Sequence, residues 1–108
     1  MLMLQETYKL INDRLFDGEL PECHIVWLAS CDGWMDWDFG IHGVAVSYPE
    51  KELHFIGIWV ELMDSPTQYF NTFVHECIHI WQAHTGRKMN HGKTFKHWCR
   101  KAYEEFYE

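Results

Sequence analysis

The sequence has no hydrophobic run approaching the roughly 20 residues that a membrane-spanning helix needs. Its opening stretch, MLMLQETYKL, is interrupted by polar side chains too early for a secretory signal peptide. Basic residues are scarce, because 9 Lys and Arg stand against 16 Asp and Glu and leave a formal charge of −7. We therefore expect a cytoplasmic protein with no membrane partner, and the negative charge disfavours binding to nucleic acid.

The cysteines contain no C-x-x-C pair, which argues against a zinc ribbon and against a disulfide framework. We predict reduced, mostly buried thiols of a cytosolic protein at Cys23, Cys31, Cys77 and Cys99.

Enough apolar material is present for a sizeable core, since 47% of the 108 residues are hydrophobic and 17% are aromatic. That length is usual for one compact domain, and no internal boundary is visible. We predict a single domain over residues 1–108.

Hydrophobic periodicity predicts an α+β fold with an N-terminal helix, a small three-stranded sheet, a central helix and a C-terminal helix. Ala29–Gly40 has no period and is predicted to be a loop. The predicted elements are a helix over 3–16, strands over His24–Leu28, Val44–Tyr48 and Leu53–Val60, a helix between Ser65 and Gly86, and a last helix that begins near His91 and buries Phe95, Trp98, Cys99, Ala102 and Phe106.

The central helix contains the H-E-x-x-H pattern, from His75 through Glu76 to His79. Residues four apart on a helix return to the same face, so both imidazoles can reach one metal ion with Glu76 beside them. The apolar residues of this helix lie on another arc, and the small residues Thr72 and Ala83 share the histidine side. We expect that side to leave room for an ion, a water molecule and a substrate.

A catalytic zinc ion usually has three protein ligands and one open position, so a third ligand must come from elsewhere. The metzincin pattern is excluded, because Gln82 and Thr85 occupy the positions of its glycine and its third histidine. The later histidines are His84, His91 and His97.

His91 is the best candidate for the third ligand, because it lies at the start of the last helix after a connection long enough to fold back. His84 turns toward the apolar side of the central helix, and His97 lies within the last helix. A carboxylate from Glu104 or Glu105 is conceivable, although both lie on the polar side of that helix.

This ligand set predicts a zinc-dependent endopeptidase. Zinc held by three neutral imidazoles keeps its +2 charge, lowers the pKa of water from about 15.7 toward about 7 and polarises a carbonyl oxygen. Glu76 can then act as general base on the zinc-activated water and pass its proton to the leaving amine.

The chain resembles the SprT-like family of zinc metallopeptidases. Asn12 to Pro21 is similar to that family's N-x-x-L-F-x-G-x-L-P signature, and His91 to Phe95 is similar to its H-G-x-x-F segment. The resemblance implies a minimal zincin-like catalytic domain. Many relatives also carry a C-terminal zinc ribbon, and we expect this chain to depart from them by lacking it. The resemblance also implies one catalytic Zn²⁺ held by His75, His79 and His91, with Glu76 as catalytic base and a protein or peptide as substrate.

Two other functions are compatible with the same motifs. A catalytically idle zinc domain would bind a protein or DNA partner, and a structural zinc site would have four protein ligands and no open position. For the peptidase, an extended substrate is expected to add to the strand Leu53–Val60 if that strand has a free edge.

Overall fold

The computed structural model describes residues 3–28 and 43–107, so the predicted loop Ala29–Gly40 and Cys31 lie outside the described residues. Within these ranges no helix is long and apolar enough to cross a bilayer. The predicted α+β class is confirmed, and the elements in chain order are α1 (Leu4–Leu15), β1 (His24–Leu28), β2 (Gly43–Tyr48), β3 (Leu53–Trp59), α2 (Pro66–His84) and α3 (Lys93–Tyr107), with short 3₁₀ turns at Pro49–Lys51 and Val60–Asp64.

The strands form one mixed sheet in the order β1-β3-β2. β1 runs parallel to β3, with Ile25 opposite Ile56, and β2 runs antiparallel to β3, with Ala45 opposite Ile56. Because β3 is paired along both edges, the prediction that a substrate strand adds to Leu53–Val60 is wrong. The sequence predicted the strand, but its place within the sheet depends on tertiary contacts.

The core lies between one face of the sheet and the helices. Ile56 and Ile58 on β3 are fully buried, and Ile25 and Trp27 on β1 pack beside them. Alternate residues of a strand point to one face, so these four side chains form one apolar surface. The helices cover that surface, and α2 is the central one because it contacts both β2 and β3 as well as α1 and α3.

The histidine side of α2 is more covered than the sequence predicted. A Cβ atom on Gly43 of β2 would lie 2.9 Å from the Cγ2 atom of Thr72 and 2.9 Å from the Gly57 carbonyl oxygen. Glycine is therefore required where β2 approaches α2. Thr72 packs against β2, and Ala83 is also buried. Neither residue therefore leaves the space for an ion and a substrate that the sequence predicted.

The segment from Asn12 to Pro21 comprises the last turn of α1 and the connection that follows it. The Asn12 carbonyl accepts the backbone N–H of Gly18 at 2.9 Å, and its side-chain oxygen accepts the N–H of Leu20 at 2.9 Å. Gly18 has a φ of +78°, a conformation that glycine adopts without steric cost. Phe16, at the C-terminal end of α1, stacks on Trp98 of α3 with the ring centroids 4.5 Å apart, so the segment fixes α1 against α3.

The residues of α3 that were predicted to face the core do so with one exception. Phe95 and Ala102 are buried, and Trp98 and Phe106 are half-buried against the core. Cys99 is exposed, so the prediction that it belongs to the core stripe is wrong. It lies at the edge of the apolar arc, facing solvent. The thiols of Cys23 and Cys77 are buried and free, as predicted.

His54 on β3 is a buried histidine outside the histidine motif. It is 2% exposed, and its Nδ1 atom lies 2.9 Å from the Ser47 hydroxyl on β2. Burial lowers the pKa of His54, the nearby His84 ring lowers it further, and Glu52 opposes the change. The folded state therefore holds this ring neutral at a pH where the unfolded chain, with a pKa of about 6.5, already takes up a proton.

The stability of the metal-free protein is expected to fall as the pH drops below about 6.5, because only the unfolded state binds the His54 proton in that range. A His54→Gln variant keeps a polar partner for Ser47 and is expected to lose less stability between pH 7 and pH 5. Urea denaturation at both pH values measures the difference. His24→Gln, at an exposed position on β1, is the control. An identical pH dependence in wild type and His54→Gln would contradict the prediction.

Candidate metal centre

Three histidine rings converge between α2 and the start of α3. The Nε2 atoms of His75, His79 and His91 lie 3.2 Å from one another in every pair. An imidazole Nε2 atom is either a donor or an acceptor, so at most two of these three contacts can be hydrogen bonds. Their convergence is instead that of a ligand set, because all three nitrogens can point at one cation.

The triangle has the dimensions that a zinc ion requires. Nitrogen ligands about 2.0 Å from a tetrahedral zinc ion stand about 3.3 Å apart. Within residues 3–28 and 43–107, no fourth His, Cys, Asp or Glu joins this group. The described residues therefore supply three ligands, and a tetrahedral ion held by them has one position left.

The local structure explains why the rings meet. His75 and His79 are one helical turn apart on α2, and His91 lies in the short connection that leads into α3. Phe95, in the first turn of α3 and 7% exposed, contacts all three rings. Its ring centroid lies 4.8 Å from His75, 5.0 Å from His79 and 4.7 Å from His91. This phenyl ring forms an apolar support on which the three imidazoles are oriented.

The environment keeps the α2 imidazoles in the form that binds metal. Burial, with the neighbouring His79 and His91 rings, lowers the pKa of His75 to about 4. Burial also lowers the pKa of His79, against the opposing effect of its hydrogen bond to Gln82. Both rings are therefore neutral at pH 7 and offer nitrogen lone pairs.

Gln82 and Asn90 link the two chain segments that carry the histidines. His79 Nδ1 lies 2.9 Å from the Gln82 side-chain oxygen. The same oxygen accepts the Asn90 backbone N–H at 3.3 Å, and the Gln82 side-chain nitrogen donates to the Asn90 carbonyl at 3.0 Å. Since an amide oxygen only accepts, His79 carries its proton on Nδ1 and leaves Nε2 free for a metal.

Glu76 is a buried carboxylate one residue after His75. It is 6% exposed, and burial raises its pKa to about 8. It follows Thr72 by one helical turn, which places it toward the β2 side of α2. Among the described parts of the chain, its carboxylate has no hydrogen bond or ion pair. Such a strongly perturbed, uncompensated group beside a ligand cluster is typical of a functional site.

The other residues considered as ligands lie away from the centre. His84 is exposed and contacts the His54 ring, and His97 is exposed beside Trp98. Glu105 forms an ion pair with Arg14 at 2.8 Å, and Glu104 is exposed on α3. None of these four joins the cluster of His75, His79 and His91.

The fold and this cluster define an α+β domain in which two histidines of the central helix and one from the connection before α3 lie close enough together to hold a metal ion. Comparison with known protein families matches residues 4–107 to the SprT-like family, so the chain belongs to the SprT-like family. No curated protein matches the sequence significantly. The family and the centre together indicate a metallopeptidase-like domain.

Sequence reasoning missed three supporting residues of the centre. In the sequence, Gln82 is identified only as a departure from the metzincin glycine, and Phe95 only as a core residue and as the last position of the H-G-x-x-F segment. Asn90 carries no signal of its own. Gln82 lies three residues after His79, a spacing at which side chains of one helix meet. That spacing is the signal that could have identified Gln82. The contacts of Asn90 and Phe95 depend on how α3 docks.

Proposed function

We propose that this chain is a zinc metalloendopeptidase in which His75, His79 and His91 hold the ion and Glu76 acts as general base. The observation that carries the proposal is the triangle of Nε2 atoms with 3.2 Å sides. Imidazole ligands suit zinc, and the absence of a fourth ligand among the described residues fits a catalytic rather than a structural site.

The residues of the centre have separate tasks. A bound zinc ion supplies Lewis-acid chemistry, because it acidifies water and polarises a carbonyl oxygen. Glu76 accepts a proton from the attacking water and delivers it to the amine nitrogen as the peptide C–N bond breaks. The charge of a cation held by His75, on the preceding residue, favours the ionised form of Glu76 against the effect of burial.

Burial gives Glu76 a working range near neutral pH. A carboxylate with an ordinary pKa is a weak base at pH 7, whereas a general base is most effective when its pKa lies near the operating pH. Desolvation raises the pKa of Glu76, and a neighbouring cation lowers it. In the proposed mechanism these opposing effects keep the pKa of Glu76 close enough to neutral pH for the group to take and give a proton.

The substrate class follows from the family and the chemistry. A carbonyl polarised by zinc and a protonated leaving amine are the two requirements of peptide hydrolysis, so a protein or peptide is the proposed substrate. The excess of 16 acidic over 9 basic residues does not favour nucleic acid as a partner.

An inhibitor experiment tests the proposal against its two rivals. A peptide hydroxamate is expected to raise the Tm of the zinc-loaded protein and leave that of the chelated protein unchanged. Ligand at 100 times its Kd contributes about 2.7 kcal/mol. The zinc-loaded protein is also expected to cleave a labelled unfolded protein, and chelation is expected to stop the cleavage.

The matching peptide amide, which lacks the metal-binding group, is the control. A closed structural site predicts no Tm change with the hydroxamate. An idle zinc domain predicts the Tm change without cleavage, and either result would contradict the proposal.

A further inference from the structure

Gln82 is the most completely engaged buried polar side chain next to the metal centre. It is 1% exposed, and its amide oxygen accepts from the His79 ring and from the Asn90 backbone N–H. Its amide nitrogen donates to the Asn90 carbonyl. The carbonyl of Asn90 can only accept, so this contact fixes which end of the Gln82 amide carries the nitrogen.

We propose that Gln82 is a positioning residue that assembles the metal centre before metal binds. One amide fixes the His79 tautomer and holds the backbone of Asn90, and His91 is the next residue in the chain. Gln82 therefore joins the two ligand-bearing segments. This inference rests on the proposed metal site, but it concerns how the ligands are held rather than which reaction follows.

A primary amide is the side chain that this task requires. Asn90 presents one N–H and one carbonyl, and the Gln82 amide presents one acceptor and one donor to match them. A carboxylate at this position keeps the acceptor for His79 and for the Asn90 N–H but has no donor for the Asn90 carbonyl. An apolar side chain of similar length has neither group.

A series of hydrogen bonds connects Asn90 to the first turn of α3. The Asn90 side-chain oxygen accepts the backbone N–H of Gly92 at 2.9 Å, and the Gly92 carbonyl accepts the N–H of Lys96 at 3.0 Å in the first turn of the helix. His91 is thus held on both sides by residues with fixed backbone positions. This explains how the exposed His91 ring keeps its Nε2 atom 3.2 Å from the Nε2 atoms of the two α2 histidines.

Two substitutions in the full chain test the proposal. In Gln82→Met the length is kept and both hydrogen-bonding groups are lost. We expect zinc affinity, measured by competition with a chelator, to fall by about 10–100-fold, as is typical when a group that orients a metal ligand is removed. In the metal-free protein we also expect the Asn90 amide to exchange faster and the His79 Nδ1–H signal to disappear from the proton NMR spectrum.

Gln82→Glu separates positioning from simple packing. It keeps the acceptor for His79, so the Nδ1–H signal is expected to persist and zinc affinity is expected to lie closer to wild type than in Gln82→Met. Gln68→Met repeats the substitution at an exposed site in the first turn of α2 and is expected to change neither quantity. Zinc affinity reports on metal binding, and the Nδ1–H signal reports on the protonation of the His79 ring. If Gln82 only packed against its neighbours, these two quantities would not differ between Gln82→Met and Gln82→Glu in this way.

Several results would overturn the inference. Wild-type zinc affinity in a folded Gln82→Met protein would do so, and so would equal losses in Gln82→Met and Gln82→Glu. If Gln82→Met does not fold, the absence of the Nδ1–H signal in folded Gln82→Glu is sufficient. A wild-type protein that binds zinc without cleaving peptides would contradict the proposed function and leave these comparisons valid.

Discussion

Glu76→Gln is expected to lower the rate of peptide hydrolysis by about 10²–10⁴-fold without reducing zinc content. The amide is close to the carboxylate in size but cannot take a proton from water, so the general-base contribution is lost. The ligands His75, His79 and His91 are unchanged. The measurement is kcat/KM on a peptide substrate, with zinc determined on the same preparation. Glu104→Gln, an exposed change on α3, is the control.

The same substitution is expected to stabilise the metal-free protein at alkaline pH. Burial raises the pKa of Glu76 to about 8, so ionising it in the folded state opposes folding. For such a group the stability is complete below the unfolded-state pKa, about 4.3, and declines as the pH rises through about 8. Glutamine has no charge to bury. Its advantage over wild type should therefore be absent at pH 4 and reach a few kcal/mol at pH 8.

Opposite changes in activity and stability would show that Glu76 is retained for chemistry at a cost to folding. Urea denaturation of the metal-free proteins at both pH values measures the stability change. If Glu76→Gln hydrolysed peptides at the wild-type rate, Glu76 would not be the general base. If it lowered stability at both pH values, the carboxylate would be a structural group with a partner that favours its charge.

The elements of the fold were largely predictable because each has strong local periodicity. α1 is found at Leu4–Leu15 for a prediction of 3–16, and β3 at Leu53–Trp59 for a prediction of Leu53–Val60. The start of α2 at Pro66 follows from the fixed φ of proline, although the side chain of Ser65 makes no capping hydrogen bond. These features depend on residues within a few positions of each other.

Strand order and the surroundings of α2 were not predictable in the same way. β3 pairs with β1 and with β2 through contacts between distant parts of the chain, and nothing in the strand itself indicates that it is central. The coverage of α2 depends on one close approach, at Gly43 and Thr72. A glycine and a threonine far apart in sequence give no sign that they meet, so the sequence predicted open space where β2 lies.

For the metal centre, too, some features are predictable from local sequence pattern and others depend on packing. Helical spacing alone predicts that His75 and His79 lie together. The length of the connection and the similarity of the H-G-x-x-F segment predict His91 as the third ligand, and the structure brings it to the other two. The contacts of Gln82 with Asn90 and of Phe95 with the three rings depend on how the segment that leads into α3 packs against α2. Ligand identity is therefore encoded in local pattern, whereas ligand orientation is encoded in packing.

His91→Ala is expected to lower zinc affinity by roughly 100-fold or more while leaving the metal-free fold intact. Zinc-finger peptides bind zinc with about 10–16 kcal/mol, and dividing that free energy among their four ligands gives about 3 kcal/mol for each. Every 1.4 kcal/mol changes the affinity tenfold. The ring is exposed, so its removal is expected to change stability by no more than about 0.5 kcal/mol.

Competition with a chelator measures affinity, and urea denaturation measures stability. His97→Ala, an exposed histidine on α3, is the matched control. Wild-type affinity in His91→Ala, or an equal loss in His97→Ala, would show that the third ligand is not at position 91.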